Sequence, residues 1–212
     1  DKLTGKNIGI ITDETEAAEY EICVGATNRA DNDFSDSADG SYVISSTKNR
    51  IILNGAGNKG TINSVYAFLE KYCGCHWYES EVIVIPESSD LTVPENINFN
   101  YTPFFEYTET DTNSSRDIEF SLANGQNGGV YRTFTKEQGS TVGYIGSFAH
   151  TLTTFFCKSE TYFAEHPEYF ALRNGIRNPG QLCLTNETVR DIVTNEILDL
   201  ISEKHDPDAD IQ

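Results

Sequence analysis

The stretch NRIILNGAGNKGTINSVYAFLEKYCGCHWY, residues 49–78, contains an apolar run, a glycine-rich turn and a helical pattern in that order. The run Arg50–Leu53 follows a similar run at Tyr42–Ser45, and the polar residues between them predict a β-hairpin. Gly74 is predicted to end the helix. One face of this helix is predicted to be buried, because its apolar residues recur at helical spacing. They are Ile62, Val65, Tyr66, Leu69 and Cys73.

The glycine cluster Gly55–Gly60 has the spacing of a dinucleotide-binding turn, and Glu79 lies near the position of a ribose-binding acid. The surrounding pattern favours another interpretation. The preceding strand is predicted to pair in a hairpin, and the first hundred residues contain only one clear helical pattern, whereas a doubly wound fold needs several. The glycines are therefore interpreted as a tight strand-to-helix turn, and no cofactor is expected.

The formal net charge is -18, with 15 basic against 33 acidic residues. A chain this acidic repels nucleic acids and anionic membrane surfaces, so neither is an expected partner. No apolar run approaches the ~18 residues of a membrane span. The sequence starts at Asp1 without Met, which is compatible with an export signal that has been removed.

The five cysteines are odd in number and lack the dense spacing of a disulfide scaffold. Buried free thiols are favoured, because cysteine is among the most buried residue types. Two alternatives stay open, although no metal site is expected. One is a Cys157–Cys183 bridge, and the other is a Cys/His metal site that uses His150 or His166.

Two domains are predicted, with a boundary near residue 100. Residues 1–100 are predicted to form an α+β domain with a mixed sheet, whose strands include Asn7–Thr12 and Tyr20–Val24. Residues 101–212 alternate strand and helix, which predicts the first part of a TIM-type βα barrel, apparently truncated. Asn174-Gly175 predicts a hairpin turn in this part. Its other predicted elements are Asp117–Ala123, Val142–Ser147, Ser159–His166, Glu168–Leu172, Gln181–Leu184 and a long helix after Asn186.

Several motifs carry a family resemblance. Gly60-Thr61, Val65–Glu70, Gly74–Tyr78 and Val82–Pro86 resemble the N-terminal domain of α-glucuronidase-like glycoside hydrolases. The strand EICVGATNR, Glu21–Arg29, is similar to a strand of the same domain. In the second part, His150-Thr151 with EHPEYFALRNG and PGQLCLTN, within residues 165–186, resembles bacterial proteins of the DUF4838 class. In that class a glucuronidase-like domain precedes a TIM-type barrel.

The resemblance implies a secreted or cell-envelope protein that acts on polysaccharide or on uronate-containing oligosaccharide. A glycoside hydrolase needs two carboxylates across the scissile bond, and here they are expected beyond residue 212. Glu106, Glu109 and Asp111 are candidates by position only, and surface solvation is the favoured role of each. Whether the chain is an enzyme stays open. The alternative is a non-catalytic carbohydrate-binding or structural module of a cell-surface polysaccharide system.

Four residues are candidates for sugar binding. His150 follows a predicted barrel strand, and Thr185 and Asn186 follow another at an equivalent level, where helix capping is the alternative role. Arg116 has the planar fork that pairs with a uronate carboxylate. The expected partner is an oligosaccharide or polysaccharide. A second part that ended at Gln212 would expose strand edges and an apolar helix face, which predicts swapping or a homo-oligomer.

Overall fold

The computed structural model of the protein describes residues 2–30, 33–88, 91–144 and 148–204. These residues fall into two compact units, Asp1–Gly143 and Tyr144–Gln212. The predicted boundary near residue 100 lies within the first unit. The predicted strand Val142–Ser147 runs into residues 145–147, which lie outside the described residues.

The first unit is built on a mixed four-stranded sheet, as predicted. Its strands, numbered in chain order, are β1 Glu21–Val24, β2 Tyr42–Ser46, β3 Arg50–Gly55 and β6 Asn98–Tyr101. The central strands β2 and β3 form the predicted antiparallel hairpin, and β1 pairs with β3 in parallel. Strand β6 pairs with β2 in antiparallel fashion, so the strand order is β1-β3-β2-β6.

Helix α1, Gly57–Cys73, packs on one face of this sheet, and its buried residues are Gly60, Ser64, Phe68 and Cys73. Of the predicted apolar stripe only Cys73 is buried, whereas Ile62, Val65, Tyr66 and Leu69 are half-buried. Gly74 adopts a φ of 71°, the left-handed conformation that ends many helices, and confirms the predicted stop. Gly60, in the first turn of α1, allows close packing, because a Cβ there would collide with the Ser41 carbonyl oxygen. The core contains Tyr42, Ile44, Leu53, Phe68, Cys73, Cys75 and Ile97.

A second hairpin and a short helix complete the first unit. Strands β4, His76–Glu79, and β5, Val82–Val84, pair in antiparallel fashion. Helix α2, Ile118–Ala123, confirms the predicted short helix, and the Asp117 side chain caps it by accepting from the Phe120 N–H at 2.7 Å. A 3-10 turn at Asn113–Arg116 precedes it.

The second unit contains a two-stranded hairpin and two α-helices. Its core consists of Cys157, Phe170, Leu182 and Val189. The hairpin turns at Asn174-Gly175, where φ is 52° and 77°, as the sequence predicts. The elements are α3 Ser159–Tyr162, β7 Phe170–Arg173, β8 Ile176–Leu182 and α4 Glu187–Lys204, with a π-helical turn at Leu152–Phe156 and a 3-10 turn at Pro167–Tyr169.

Two parts of the predicted architecture differ from the structure. Asn7–Thr12 is not a strand, and Ile10 in its middle is 98% exposed, so its apolar pattern has no packing partner. The coarse class, a mixed sheet with helices, is confirmed. The TIM-type barrel is not confirmed, because within the described residues no barrel closes and β7 and β8 are antiparallel rather than parallel neighbours.

Candidate functional site

A cleft of about 530 Å³ lies in the first unit, between α1, the end of the sheet and the segment that follows β6. Its size is within the range of small-molecule sites. The lining is rich in aromatic side chains and carboxamides. The aromatic residues are Tyr42, Tyr66, Phe99, Tyr101, Phe104 and Phe105, and the carboxamides are Asn63, Asn124 and Asn127.

Strand pairing sets the aromatic floor of the cleft. Tyr42 lies opposite Tyr101, and Phe99 lies two residues before Tyr101, so all three rings point to the same face of the sheet. The ring centroid of Tyr42 is 5.0 Å from that of Tyr101 and 6.1 Å from that of Phe99. Burial, with Tyr101 and Glu70 nearby, raises the pKa of Tyr42 to about 12, so its hydroxyl stays neutral.

Two further aromatic rings form the rim of the cleft. Phe104 and Phe105 follow β6 in an irregular segment and are 89% and 68% exposed. Their rings contact each other edge to face at 4.9 Å. Adjacent exposed phenylalanines give a cleft large apolar faces that water does not solvate well.

The carboxamides on the opposite wall are held by the backbone. The Asn127 side chain accepts from the Thr108 N–H at 2.7 Å and donates to the Glu106 carbonyl at 2.6 Å. The nitrogen of Asn124 donates to the Trp77 carbonyl at 3.2 Å and to the Phe120 carbonyl at 2.9 Å. The side-chain oxygen of Asn124 is therefore the group left to accept a hydrogen bond.

Three charged residues line the cleft. The Lys59 ammonium pairs with Asp39 at 2.9 Å, and the Lys71 ammonium lies 4.8 Å from the centroid of the Phe99 ring. The Glu70 carboxylate lies 3.6 Å from Nδ1 of His76. Among the described residues that line this cleft, Glu70 is the single carboxylate.

A buried polar network lies next to the cleft wall. Glu109 accepts from Arg132 Nη1 at 2.7 Å and from the Tyr107 hydroxyl, and the side chains of the ion pair are 6% and 3% exposed. Arg132 also donates to Gln126 at 2.8 Å. The predicted surface role of Glu109 is therefore wrong, because its charge is neutralised inside the unit. Glu106 and Asp111 are exposed, as predicted.

Arg116 is exposed and held in a fixed orientation outside this network. Its Nη1 donates to Asn113 at 3.1 Å, and its guanidinium lies 5.0 Å above the ring of Tyr131. Asp111 hydrogen-bonds the Tyr131 hydroxyl and raises the pKa of that tyrosine, with a smaller contribution from burial. The structure thus brings Arg116 and Asp111 together around Tyr131, which the sequence did not single out.

The other predicted site residues lie in the second unit. His150 is exposed, with a φ of 55°, and its carbonyl accepts from the Thr154 hydroxyl. The Thr185 hydroxyl lies 3.2 Å from Sγ of Cys183, and the Asn186 side chain accepts from the Val189 N–H at 3.4 Å, in the first turn of α4. Within the described residues, no hydrogen bond links His150 to Thr185 or Asn186.

The structure also tests the two alternatives for the cysteines and histidines, a disulfide bridge and a metal site. All five cysteines of the chain are free thiols, so the Cys157–Cys183 bridge is not formed. Nδ1 of His166 lies 3.1 Å from Glu168, and its ring stacks on Tyr169 with centroids 4.6 Å apart. In the part of the chain that the structure describes, no three metal-ligating side chains converge.

Comparison with known families places part of the chain in a described family. The model of a family described as Domain of unknown function (DUF4838) matches residues 77–210. The chain belongs to the DUF4838 family. No curated protein and no solved structure matches this DUF4838 chain. The match begins at Trp77 and so covers the segments on both sides of residue 100. The resemblance of the preceding residues to α-glucuronidase N-terminal domains stays a prediction.

The helices were also compared with the requirements of a lipid bilayer. Among the described residues, none of the helices combines the length and the apolar character that crossing a membrane demands.

Proposed function

We propose that this DUF4838 chain is the carbohydrate-binding part of a glycoside hydrolase-like protein that acts on polysaccharide. The cleft supports this proposal through one feature, the combination of exposed aromatic faces with carboxamides. A pyranose ring has a C–H face that packs on an aromatic ring and a rim of hydroxyls that need hydrogen-bonding partners. Apolar surfaces with a few placed polar groups are typical of such sites.

Two aromatic areas favour an oligosaccharide over a single sugar. One is the floor, where Tyr101 is 43% exposed beside the buried Tyr42, and the other is the rim formed by Phe104 and Phe105. One sugar unit on each of these two aromatic areas would bury apolar surface, and the sheet would not have to rearrange. The side-chain oxygen of Asn124 would accept from a sugar hydroxyl.

Binding rather than bond cleavage is the role proposed for this cleft. Glycoside hydrolysis by the common mechanisms needs a pair of carboxylates flanking the scissile bond, and Glu70 stands alone among the described lining residues. Glu109 cannot supply the second, because Arg132 neutralises it inside the unit. Catalytic carboxylates of a hydrolase beyond residue 212 stay a prediction, as does the non-catalytic alternative.

The remaining predictions concern the setting of the protein. We propose that it is secreted or attached to the cell envelope, where polysaccharide is encountered, and that residues after 100 contribute to a TIM-type barrel. Arg116 is proposed to bind a sugar carboxylate, because its guanidinium is already oriented by Asn113 and Tyr131. Sugar contacts by His150, Thr185 and Asn186, and a homo-oligomer, stay predictions.

Calorimetric titration with neutral xylan- and cellulose-type oligosaccharides tests the proposal. The variants Tyr101→Ala and Phe104→Ala should weaken binding roughly threefold to tenfold each, the usual range for losing one aromatic contact. Tyr78→Ala is the matched control, since Tyr78 is a 62% exposed tyrosine on a strand but does not line the cleft. Absence of binding to any sugar, or an equal loss in Tyr78→Ala, would refute the proposal.

A further inference from the structure

The four-stranded sheet of the first unit has a second surface, which the cleft does not use. Helix α1 packs on the central strands β2 and β3, where Phe68 joins Ile44 and Leu53 in the core. A helix with its side chains is about 10 Å wide and strands lie about 4.8 Å apart, so one helix covers roughly two strands. The outer strands β6 and β1 therefore lie on either side of α1. The cleft is on the β6 side, and the second surface is on the β1 side.

Strand β1 turns two apolar side chains toward the face of the sheet that α1 covers. Val24 pairs with Leu53, a residue of the core under α1, and side chains of paired residues point to the same face. Ile22 lies two residues before Val24 and shares this face. These two residues are 45% and 49% exposed. Ile22 also opens into a groove of about 370 Å³, whose apolar lining is Ile8, Tyr20, Ile22, Ile51 and Val93.

The neighbouring side of α1 is apolar as well. A Cβ on Gly25, directly after β1, would lie 3.6 Å from Cγ2 of Thr61, so this side of the helix faces β1. Val65 and Leu69 follow Thr61 at intervals of four residues and lie on the same side. Both are only half-buried. The apolar stripe that the sequence predicts thus extends beyond the core on this side of the helix.

These two surfaces form the β1 groove, whose floor is Ile22 and Val24 of β1 and whose wall is Val65 and Leu69 of α1. A second helix beside α1, at the usual interaxial distance of about 8–10 Å, would contact both the floor and the wall. Helices that lie side by side on a sheet are a common way to cover it. An extended segment would contact the floor and leave the wall uncovered, so the groove favours a helix over a strand.

An acidic segment lies beside the β1 groove. Residues 13–19 follow β1 from end to end, because Asp13 accepts from the Asn28 N–H at 2.8 Å and the Ala18 N–H donates to Glu21 at 3.0 Å. This segment contains four acidic residues and no basic one. The exposed carboxylates are those of Glu14, Glu16 and Glu19. The groove therefore has an apolar centre and a negatively charged margin.

We propose that the β1 groove binds an amphipathic α-helix of a partner protein. The apolar stripe of that helix, at positions i, i+3, i+4 and i+7, packs on the floor and the wall. Its polar face carries lysine or arginine near residues 13–19, since opposite charges complement each other across an interface. The charges that line the groove itself balance, with Lys48 and Arg50 against Glu21 and Glu95. A second copy of this chain fits less well, because it would bring a second net charge of -18 against the first.

Three labelled 18-residue peptides test the proposal by fluorescence anisotropy with the whole chain at physiological salt. The first contains leucine at helical spacing and lysine elsewhere. The second has the same composition with leucine and lysine in strict alternation, and the third is the first with glutamate in place of lysine. The helical lysine peptide should bind about tenfold more tightly than either of the others, because it alone matches both the shape and the charge of the groove.

Variants of the floor and the wall locate the binding surface. Val24→Thr keeps the β-branched shape, removes apolar surface from the floor and should weaken binding roughly threefold to tenfold. Leu69→Gln should do the same at the wall. Val82→Thr is the matched control and should leave the affinity unchanged, since Val82 is a 51% exposed strand valine outside the groove. Far-UV circular dichroism confirms that each variant is folded.

A triple change of the acidic segment tests the charge of the partner. Replacing the three exposed glutamates with glutamine should weaken binding of the helical lysine peptide about threefold, as expected for solvent-exposed ion pairs. The control makes the same change in net charge at three exposed glutamates of the second unit and should leave the affinity unchanged. These residues are Glu160, Glu165 and Glu196.

Three results would overturn the proposal. Tighter binding of the alternating peptide would indicate strand pairing with β1 instead of helix docking. An affinity that survives both Val24→Thr and Leu69→Gln, or equal binding of the glutamate peptide, would show that the groove and its charge do not select the ligand. A dimer in light scattering that Val24→Thr dissociates would make a second copy the occupant.

Discussion

The two units of the molecule have similar kinds of secondary structure but very different cores. Among the described residues, the first unit buries seven apolar residues in one cluster between the sheet and α1, whereas the second buries four between its hairpin, α4 and the π-helical turn. Buried apolar area is the main favourable term in folding. The first unit should therefore be much the more stable of the two.

Apolar side chains are exposed in both units, and Ile10 and Phe104 of the first are 98% and 89% exposed, so the contrast concerns the strands that form each core. Leu172 and Ile176 of the hairpin are 60% and 73% exposed, and Leu198 of α4 is 57% exposed. In the first unit, by contrast, the two central strands carry Ile44 and Leu53 at 0% and 3%. A two-stranded sheet has no interior strand, so we expect the hairpin and helix of the second unit to be less stable than the first unit.

The largest expected effect comes from removing the centre of each core. Phe170→Ala should cost about 3–5 kcal/mol and Ile44→Ala about 2–5 kcal/mol. In the second unit this loss should exceed the available stability, so Phe170→Ala should unfold that unit, while Ile44→Ala leaves the first unit folded. Hydrogen exchange resolved by segment distinguishes the two outcomes.

The control for this comparison is Leu172→Ala, which truncates an exposed residue on the same hairpin as Phe170. It should leave exchange in the second unit nearly unchanged. Equal protection of both units in Phe170→Ala would show that the small core is not what limits the second unit.

Breaking the buried ion pair tests whether the first unit also depends on polar contacts. Glu109→Gln should destabilise this unit by about 3 kcal/mol, because it leaves the Arg132 guanidinium buried without its counter-charge. Urea denaturation followed by the fluorescence of Trp77, the only tryptophan, measures the loss. The double variant Glu109→Gln, Arg132→Met should recover part of it, and a further loss in the double variant would argue against this explanation.

A matched pair of glycines makes the same chemical change in both units. Gly74 ends α1 and Gly175 closes the β7–β8 turn, with φ of 71° and 77°. Alanine in this left-handed conformation costs about 1–2 kcal/mol. The melting temperature should fall further for Gly175→Ala in the second unit than for Gly74→Ala in the first, because the second unit is expected to be the less stable of the two. Gly9→Ala is the control, because its backbone is not left-handed and a Cβ there meets no atom within 4 Å.

The smallest effect expected is a dependence on pH in the first unit. Burial raises the pKa of Glu21, but the Ala18 N–H and the guanidinium groups of Arg29 and Arg50 outweigh it, so the pKa falls below the usual 4.5. The stabilisation is present above about pH 4.5 and is lost as the pH falls through the lowered value. Glu21→Gln should flatten this part of the stability profile, measured by urea midpoints between pH 7 and 3. If the urea midpoint of Glu21→Gln depended on pH as steeply as that of the unchanged protein, this explanation would be contradicted.

Local patterns in the sequence predicted the elements whose partners lie nearby in the chain. The hairpin of β2 and β3, the presence of helix α1 and its stop at Gly74 follow from short-range periodicity and turn chemistry. The buried face of α1 was predicted only in part, because Gly60, Ser64 and Phe68 face the sheet as well as Cys73. Asn7–Thr12 has an equally good strand pattern, but nothing covers Ile10, so the pattern alone was not sufficient. Strand β6 was missed because its sequence, NFNY, is half asparagine, a residue depleted in strands.

The candidate site was less predictable than the fold. Its aromatic residues come from separate elements, and only the pairing of Tyr42 with Tyr101 brings the floor together. The run FNYTPFF, residues 99–105, was the available signal, since it concentrates four aromatic residues in seven positions. Of the predicted site residues, Arg116 lies in the first unit and His150, Thr185 and Asn186 lie in the second.

Each unit contains buried free thiols whose alkylation rate reports how often that unit opens. Cys157 is 0% exposed in the second core, and Cys73 and Cys75 are 5% and 3% exposed in the first. Burial raises the pKa of all three thiols, that of Cys73 to about 11, so these buried groups should react only when their unit opens. Cys183 is partly exposed, and Thr185 lowers its pKa, so it reacts from the folded state. A single alkylation time course, followed by mass spectrometry, therefore measures how often each unit opens. The reaction of Cys183 from the folded state is the internal standard.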